Sequence, residues 1–485
     1  MSGSLLLLIL PLFTALLVAI VPTRSEHSRT PLAVAIGGAS LTLILTLLLA
    51  TRFDTTAGVQ FVTLLEWIPE IGIAFHLGLD GVSLLMAILT ALLAAVALFA
   101  VPGTMGRTGR AFLVWFLLLE VSVLGVFAAR DWFLFYLFWE IALVPMFFLI
   151  GIWGGERRAQ ASYAFFLYTL AGSMLMLIGL MAGFVQAGGQ DFAMDKIAAA
   201  MRAAPAELQV LVFAFVFVGM AVKVPLVPLH GWLPSAHVEA PVPVSMVLSG
   251  VLLKMGGYGL LRLAEMVPGP FSTFDDAIMA AAILSIVYGA VLAFRQDDLK
   301  AMIAYSSISH MGFVVLGIGS MTESGLRGAV VQMFSHGLVT AALFLLVGLV
   351  YAQTHSRSLI RATGIARANP RFAVLMTMSL LAAMGLPGLS GFVGEFQVFV
   401  GAYQRWGLVV AIAGIGVLLT TAYSLRVFGR LVIAPEPNGR ARMRELGAME
   451  MAALVPLASL MVVIGVYPDV VGRIAWFGLT ALAVK

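Results

Sequence analysis

LQVLVFAFVFVGMAVKVPLVPLH, residues 208–230, decides how this chain is read. The run before Lys223 is continuously apolar. That suits a helix crossing about 30 Å of hydrocarbon, not a barrel strand that alternates over about ten residues. A lysine deep in such a helix costs about 2.5–3.5 kcal/mol to insert, and from mid-span its charge reaches water poorly. Two prolines follow at once. Pro225 and Pro228 should free the carbonyls of Ala221 and Val224 from their helical donors. Interrupted helices are tolerated at membrane depth where they line a polar cavity. One stretch thus predicts a membrane helix, a break in it, and a charge held there for an ion or proton path.

Working outward, similar runs recur at about 4–22, 31–51, 80–101, 111–129, 132–152, 161–186, 208–230, 242–265, 274–294, 299–320, 328–353, 372–404, 408–432 and 449–468. The 485 residues are 61% apolar and 11% charged, against about 25% charged in a soluble domain. We expect an all-α polytopic membrane protein of about 14 transmembrane helices. No connection is long enough for a globular domain. Residues 187–207 and 433–446 read as loops, and the tail after Pro468 as a helix extension or an interfacial segment. The absence of cysteine excludes Cys-ligated iron–sulfur clusters, CxxC redox pairs and disulfides within this chain. A net charge of +4 is too small to point to nucleic acid. The first span has no basic residue ahead of it and is followed by Arg24 and Arg29, the pattern of a retained span and not of a cleaved signal.

Lysine and arginine report orientation. Sixteen fall in odd-numbered loops and seven in even-numbered loops, with Arg473 and Lys485 in the tail. By the positive-inside rule the odd loops are cytoplasmic and both termini periplasmic. Lys223, Lys254 and Arg426 remain inside spans. Arg426 sits near a helix end, where it can snorkel. Lys254, in VSMVLSGVLLKMGGYGLLRLAE, is near mid-span like Lys223.

Acidic counterparts exist. Glu140 follows the aromatic run DWFLFYLFWEIALVP, and Glu395 lies in AAMGLPGLSGFVGEFQVF. Either could pair with a buried lysine. Glu120, in LLLEVSVLG, is a weaker candidate. Burial and a nearby carboxylate act on a lysine's proton in opposite directions. A potential of about 200 mV is worth roughly 4.6 kcal/mol per charge, so opening and closing a Glu–Lys pair works on the scale of a physiological gradient. His310 and His336, in or near spans 10 and 11, are possible relay groups. His230 and His237, around the seventh loop, suit an interfacial or hinge role at least as well, and the histidine spacing makes a poor metal site.

Gly385, Pro387, Gly388, Gly391 and Gly394 precede Glu395, so span 12 should be broken like span 7. Glycines at this spacing also permit close helix contact. Five spans separate the two breaks, and an odd offset gives opposite orientations, the pattern of an inverted-repeat transporter. The expected organisation is a three-helix region at 1–110, a first repeat (spans 4–8) at 111–265, a second, inverted repeat (spans 9–13) at 274–432, and a C-terminal helix with its tail at 447–485.

LFWEIALVPMFFLIGIWGGERR (137–158) and KVPLVPLHGWLPSAHVEAPVPVSMVLSGVLLKMGGYGLLR (223–262) closely resemble the proton-translocating, antiporter-like subunits of NADH:quinone oxidoreductase, respiratory complex I. RQDDLKAMIAYSSISHMGF (295–313) and GLPGLSGFVGEF (385–396) resemble later parts of the same pattern. Length, the WGGERR loop and a glutamate in the broken twelfth span look like the chain-4 type, subunit M. The resemblance implies that Glu140 pairs with a switchable Lys223, that Lys254 is the central lysine, and that Glu395 is the terminal carboxyl. His310 and His336 would extend this hydrated axis. It also implies neighbouring antiporter-like subunits on both sides in a bacterial inner membrane, a source that the high Ala, Gly and Arg usage also suits. FMN, iron–sulfur clusters and quinone would sit in partner subunits, with no cofactor or metal in this chain, which carries no Rossmann GxGxxG. A multisubunit Na⁺/H⁺ antiporter, a complex I-related membrane hydrogenase and an inert scaffold are the rival readings.

Overall fold

The computed structural model describes residues 2–22, 29–106, 108–366, 369–435 and 443–480. Arg24, Arg107, Arg367, Arg440, Arg442 and Lys485 of the charge count lie outside the described residues. The first six long helices are α1 (Gly3–Ile20), α2 (Thr30–Thr51), α3 (Gly81–Thr104), α4 (Arg110–Ala128), α5 (Trp132–Trp153) and α6 (Arg158–Gln186). A short α7 (Met194–Arg202) leads to α8 (Ala206–Lys223), α9 (Trp232–Glu239), α10 (Val242–Val247), α11 (Leu253–Met266) and α12 (Pro268–Thr273). Then come α13 (Asp275–Arg295), α14 (Leu299–Gly319), α15 (Glu323–Thr354), α16 (Pro370–Ala383), α17 (Ser390–Trp406), α18 (Gly414–Phe428), α19 (Ala448–Val466) and α20 (Asp469–Thr480).

Thirteen helical stretches among the described residues are long and apolar enough to cross a bilayer, and one of them runs 44 residues, Ser390–Ile433. A straight helix of that length would measure about 66 Å, twice the hydrocarbon core. It breaks at Gly407, whose φ of +66° lies in the left-handed region. With the shorter apolar α16, α17 makes one broken span and α18 the next, which gives fourteen crossings.

Carboxylates set several helix starts. Asp80 accepts from the Ser83 N–H at 2.9 Å, Asp131 from Leu134 N–H at 2.9 Å, and Asp298 from Lys300 N–H at 2.8 Å and Ala301 N–H at 3.0 Å. Each satisfies donors that the first turn of a helix leaves free. Burial then sorts the helices into layers. The apolar windows of α3, α10–α11, α14 and α15 are 89–100% buried, whereas those of α1, α2, α6 and α19 are 33–39% buried. Four of these form the interior, and the less buried helices turn one face outward.

The helical membrane fold holds with one added element, and two finer expectations need correction. β1 (Gln60–Ile68) and β2 (Ile73–Leu79) pair antiparallel across the second connection, with Gln60 opposite Leu79 and Ile68 opposite Ile73. The signal was there, because β-branched and aromatic residues flank Pro69 and a left-handed Gly72 (φ +68°). Part of 187–207 is the helix α7, not loop. Finally, Ala221's carbonyl is not left free by Pro225, since Leu226 N–H reaches it at 2.8 Å. The tail α20 is a separate helix that packs on α3 and α15.

Candidate functional site

The break after α8 leaves Lys223 as its last residue, 1% exposed. Its Nζ has no hydrogen-bond partner among the described residues. It lies 5.5 Å from the Trp139 ring centre and 5.3 Å from that of Phe165, so aromatic faces supply what attraction it has at contact range. Trp232 holds the break open in a defined shape: its indole N–H donates to the Val222 carbonyl at 2.9 Å. Glu140 faces the hydroxyls of Tyr136 and Ser173 and is within electrostatic reach of Lys223. No ion pair within 4.0 Å joins Glu140 and Lys223.

Lys254 is bound tightly. The helix that carries it contains a π-helical turn at Leu248–Leu252, which displaces carbonyls from their usual donors. Lys254 Nζ, fully buried, donates to the Ser249 carbonyl at 2.6 Å and sits 2.6 Å from His336 Nδ1. When Lys254 carries its proton the ammonium only donates, and His336 then presents that nitrogen as an acceptor. The His336 and His310 rings are 5.6 Å apart. His310 Nδ1 is 3.0 Å from Glu395 Oε1, and Gln332 Nε2 donates to the same oxygen at 3.3 Å. Glu395 stands one turn into α17, just past the second break, and is 6% exposed. A narrow cavity bordered by Ser306, His310, Gln332, His336 and Glu395 has room for about one water.

So Lys254, His336, His310 and Glu395 form one row. Glu140 and Lys223 form a second group beside it, joined by backbone and not by side chains. A Cβ at Gly256 would lie 2.7 Å from Val224 Cγ2 and 2.9 Å from Val224 N, so α11 packs directly on the broken end of α8.

Sequence reasoning missed two groups. Lys300 was counted to the ninth loop, but it lies in the first turn of α14, 7% exposed, donating to the carbonyls of Val238 at 3.3 Å and Ala240. His237 is 0% exposed, stacks on Phe344 at 4.7 Å, and has no partner on either ring nitrogen among the described residues. It is within electrostatic reach of both Lys300 and Lys254. Two cavities on the odd-loop face, about 730 Å³ and 450 Å³, meet around Val238 and Glu239, and the larger one reaches Lys300. The signal for Lys300 was its place two residues after a helix cap at Asp298. Tyr423 on α18, 3% exposed, adds a hydroxyl near Ser306 and Glu395. Glu120 is buried with neither carboxyl oxygen bonded among the described residues. No group of three or more His, Asp or Glu among those residues could hold a metal.

Fold and site together define a polytopic membrane subunit with two broken helices and a buried row of ionisable side chains. The family described as "NADH:quinone oxidoreductase/Mrp antiporter, TM" matches residues 129–420. Relatives include NADH-quinone oxidoreductase subunit M of Rickettsia conorii, 35% identical over 98% of this chain and 97% of that protein, and of Rhodobacter capsulatus, 38% identical over 95% and 92%. A chain of respiratory complex I from Thermus thermophilus superposes with a TM-score of 0.89 at 31% identity, covering 99% of this chain and 100% of that one. A chain of the Mrp complex from Dietzia sp. shares the fold, with a TM-score of 0.88 at 22% identity over 100% and 98%. The chain belongs to the subunit M branch of the NADH:quinone oxidoreductase/Mrp antiporter family.

Proposed function

We propose that this chain carries protons for an NADH:quinone oxidoreductase through the Lys254–His336–His310–Glu395 row, with Glu140 and Lys223 as its switch. The observation that carries this reading is the unbroken polar contact at each end of the row, 2.6 Å at Lys254–His336 and 3.0 Å at His310–Glu395. Neutral imidazole takes a proton on one nitrogen and gives one from the other, so two histidines in tandem pass charge without leaving it unpaired. The 5.6 Å step between the rings is crossed by water or ring rotation. Lys300 and His237 extend the row to the odd-loop cavities and form its inlet.

The remaining expectations fit this reading. The odd-loop face is cytoplasmic, the termini periplasmic, and the membrane is a bacterial inner membrane. Spans 4–8 and 9–13 act as two opposed units, each with one broken helix. FMN, iron–sulfur clusters and quinone sit in partner subunits, and their redox energy reaches this chain through neighbouring subunits of the membrane arm. Lys223, among aromatic rings, is the member whose charge is least compensated. Closing the gap to Glu140 stabilises its ammonium, and opening it favours release.

Lys223→Ala in the assembled complex should cut NADH-driven proton uptake into sealed vesicles by about tenfold. Full uptake with normal assembly would sink the proposal. Trp232→Phe should leave the Val222 carbonyl without its donor at about 1–3 kcal/mol. The expected reading is faster thermal inactivation of the purified complex, and an unchanged inactivation rate would show that the indole does not hold the break.

A further inference from the structure

The row described above accounts for one side of Lys254 and leaves the other. Lys254, Tyr258 and Arg262 follow one another at four-residue steps, so they share a face of α11. At the end of that face lies a second buried charge cluster. Arg262, 4% exposed, pairs with Asp80, and Arg130 pairs with the same Asp80 oxygen at 3.2 Å. The Tyr258 ring packs under the Arg262 guanidinium at 4.6 Å. Its hydroxyl lies 2.9 Å from Ser83 Oγ and 3.2 Å from the Phe127 carbonyl, and Ser83 Oγ also accepts from Arg262 at 3.2 Å. Asp80 thus faces two guanidiniums and also accepts from the Ser83 N–H at 2.9 Å.

Two features mark this as more than a static clasp. Arg262 has a second acceptor, Glu265 at 2.7 Å, whose side chain is 28% exposed, while Asp80 keeps Arg130. Arg262 can therefore leave Asp80 without stranding either charge, the condition under which breaking a buried pair is affordable. The Arg262 Nε has no partner among the described residues. The cluster is also covered: Gly81, next to Asp80, lies so close under the Ile474 carbonyl of α20 that no Cβ fits.

Resting on the proton-carrying role given to Lys254, we propose that Tyr258, Arg262 and Asp80 form the outer gate of the Lys254 branch, closed while Arg262 holds both Asp80 and Glu265 and opened when it lets Asp80 go and keeps Glu265 alone. Closed, the gate keeps protons on the outer side from running back to Lys254 between pumping events.

The test is passive leak. The complete oxidoreductase is reconstituted in liposomes, a pH gradient is imposed without NADH, and its decay is followed with an entrapped dye. Asp80→Asn should speed the decay by about threefold or more, and Tyr258→Phe, which keeps the ring and removes the hydroxyl, by about twofold. The second variant covers the case in which Asp80→Asn fails to assemble. Decay at the unmodified rate in assembled Asp80→Asn and Tyr258→Phe complexes overturns the gate. So does a leak that survives when Lys254→Met is added, since the leak then runs elsewhere. Loss of pumping in Lys254→Met alone bears on the relay and not on the gate, so the two readings fail separately.

Discussion

Lys254→Met lowers NADH-driven proton uptake by about tenfold or more in vesicles carrying the assembled complex, and Lys254→Arg lowers it comparably. Methionine matches the length of the lysine stem, so packing around α11 is kept and what disappears is the ammonium. That loss leaves the Ser249 carbonyl and His336 Nδ1 without their donor, at about 1–3 kcal/mol each. Assembly must therefore be checked alongside pumping. Arginine separates charge from proton exchange. It keeps a cation in the site, but guanidinium does not release its proton in proteins. It is also a planar fork where the site holds a point charge between two acceptors. An assembled Lys254→Arg complex that pumps at the unmodified rate would mean that Lys254 serves as a fixed charge, and the relay through it would be wrong.

The groups most legible in the sequence were those whose placement is energetically costly. Lys223, Lys254 and Glu395 stand out because no neighbour within four residues explains a charge in an apolar helix. Geometry between helices was not legible. A chain in which Glu140 and Lys223 are 83 positions apart gives no distance between them, and the structure keeps them apart. The π-helical turn that hands Ser249's carbonyl to Lys254 has no sequence mark at all. His237 and Lys300 were missed for a different reason. Both lie within a few residues of a connection, and proximity to a loop reads as access to water. The fold reverses that, since α9 turns inward after the break and carries His237 to full burial. The hairpin was overlooked because a chain this apolar invites a single helical reading, although Gly72 and its flanking strands follow ordinary turn chemistry.

Gly394→Val should remove the chain from the assembled complex almost completely. α15 and α17 cross with their backbones in contact, and the crossing is made by glycine from both sides. A Cβ at Gly394 would lie 2.6 Å from Gln332 Oε1 and 2.8 Å from both Gln332 N and Cα, and one at Gly328 would lie 2.6 Å from Val398 N. A flexible side chain could move aside, but a helix backbone cannot. The helices must separate, which costs about 3 kcal/mol or more for a branched side chain, roughly a hundredfold in the population of the packed state. The same separation reaches the site. Glu395 is the next residue, and it is held by Gln332 and His310 from the facing helices. Gly394→Ala should give an intermediate result, with reduced assembly and weakened uptake in the fraction that assembles, because Glu395 is displaced from His310. Gly414→Ala is the control, since a Cβ there meets nothing within 4 Å. The quantity to measure is the complex recovered on a native gel, with proton uptake per assembled complex. Normal recovery and uptake in Gly394→Val would show that the terminal carboxyl does not depend on this crossing for its place in the row.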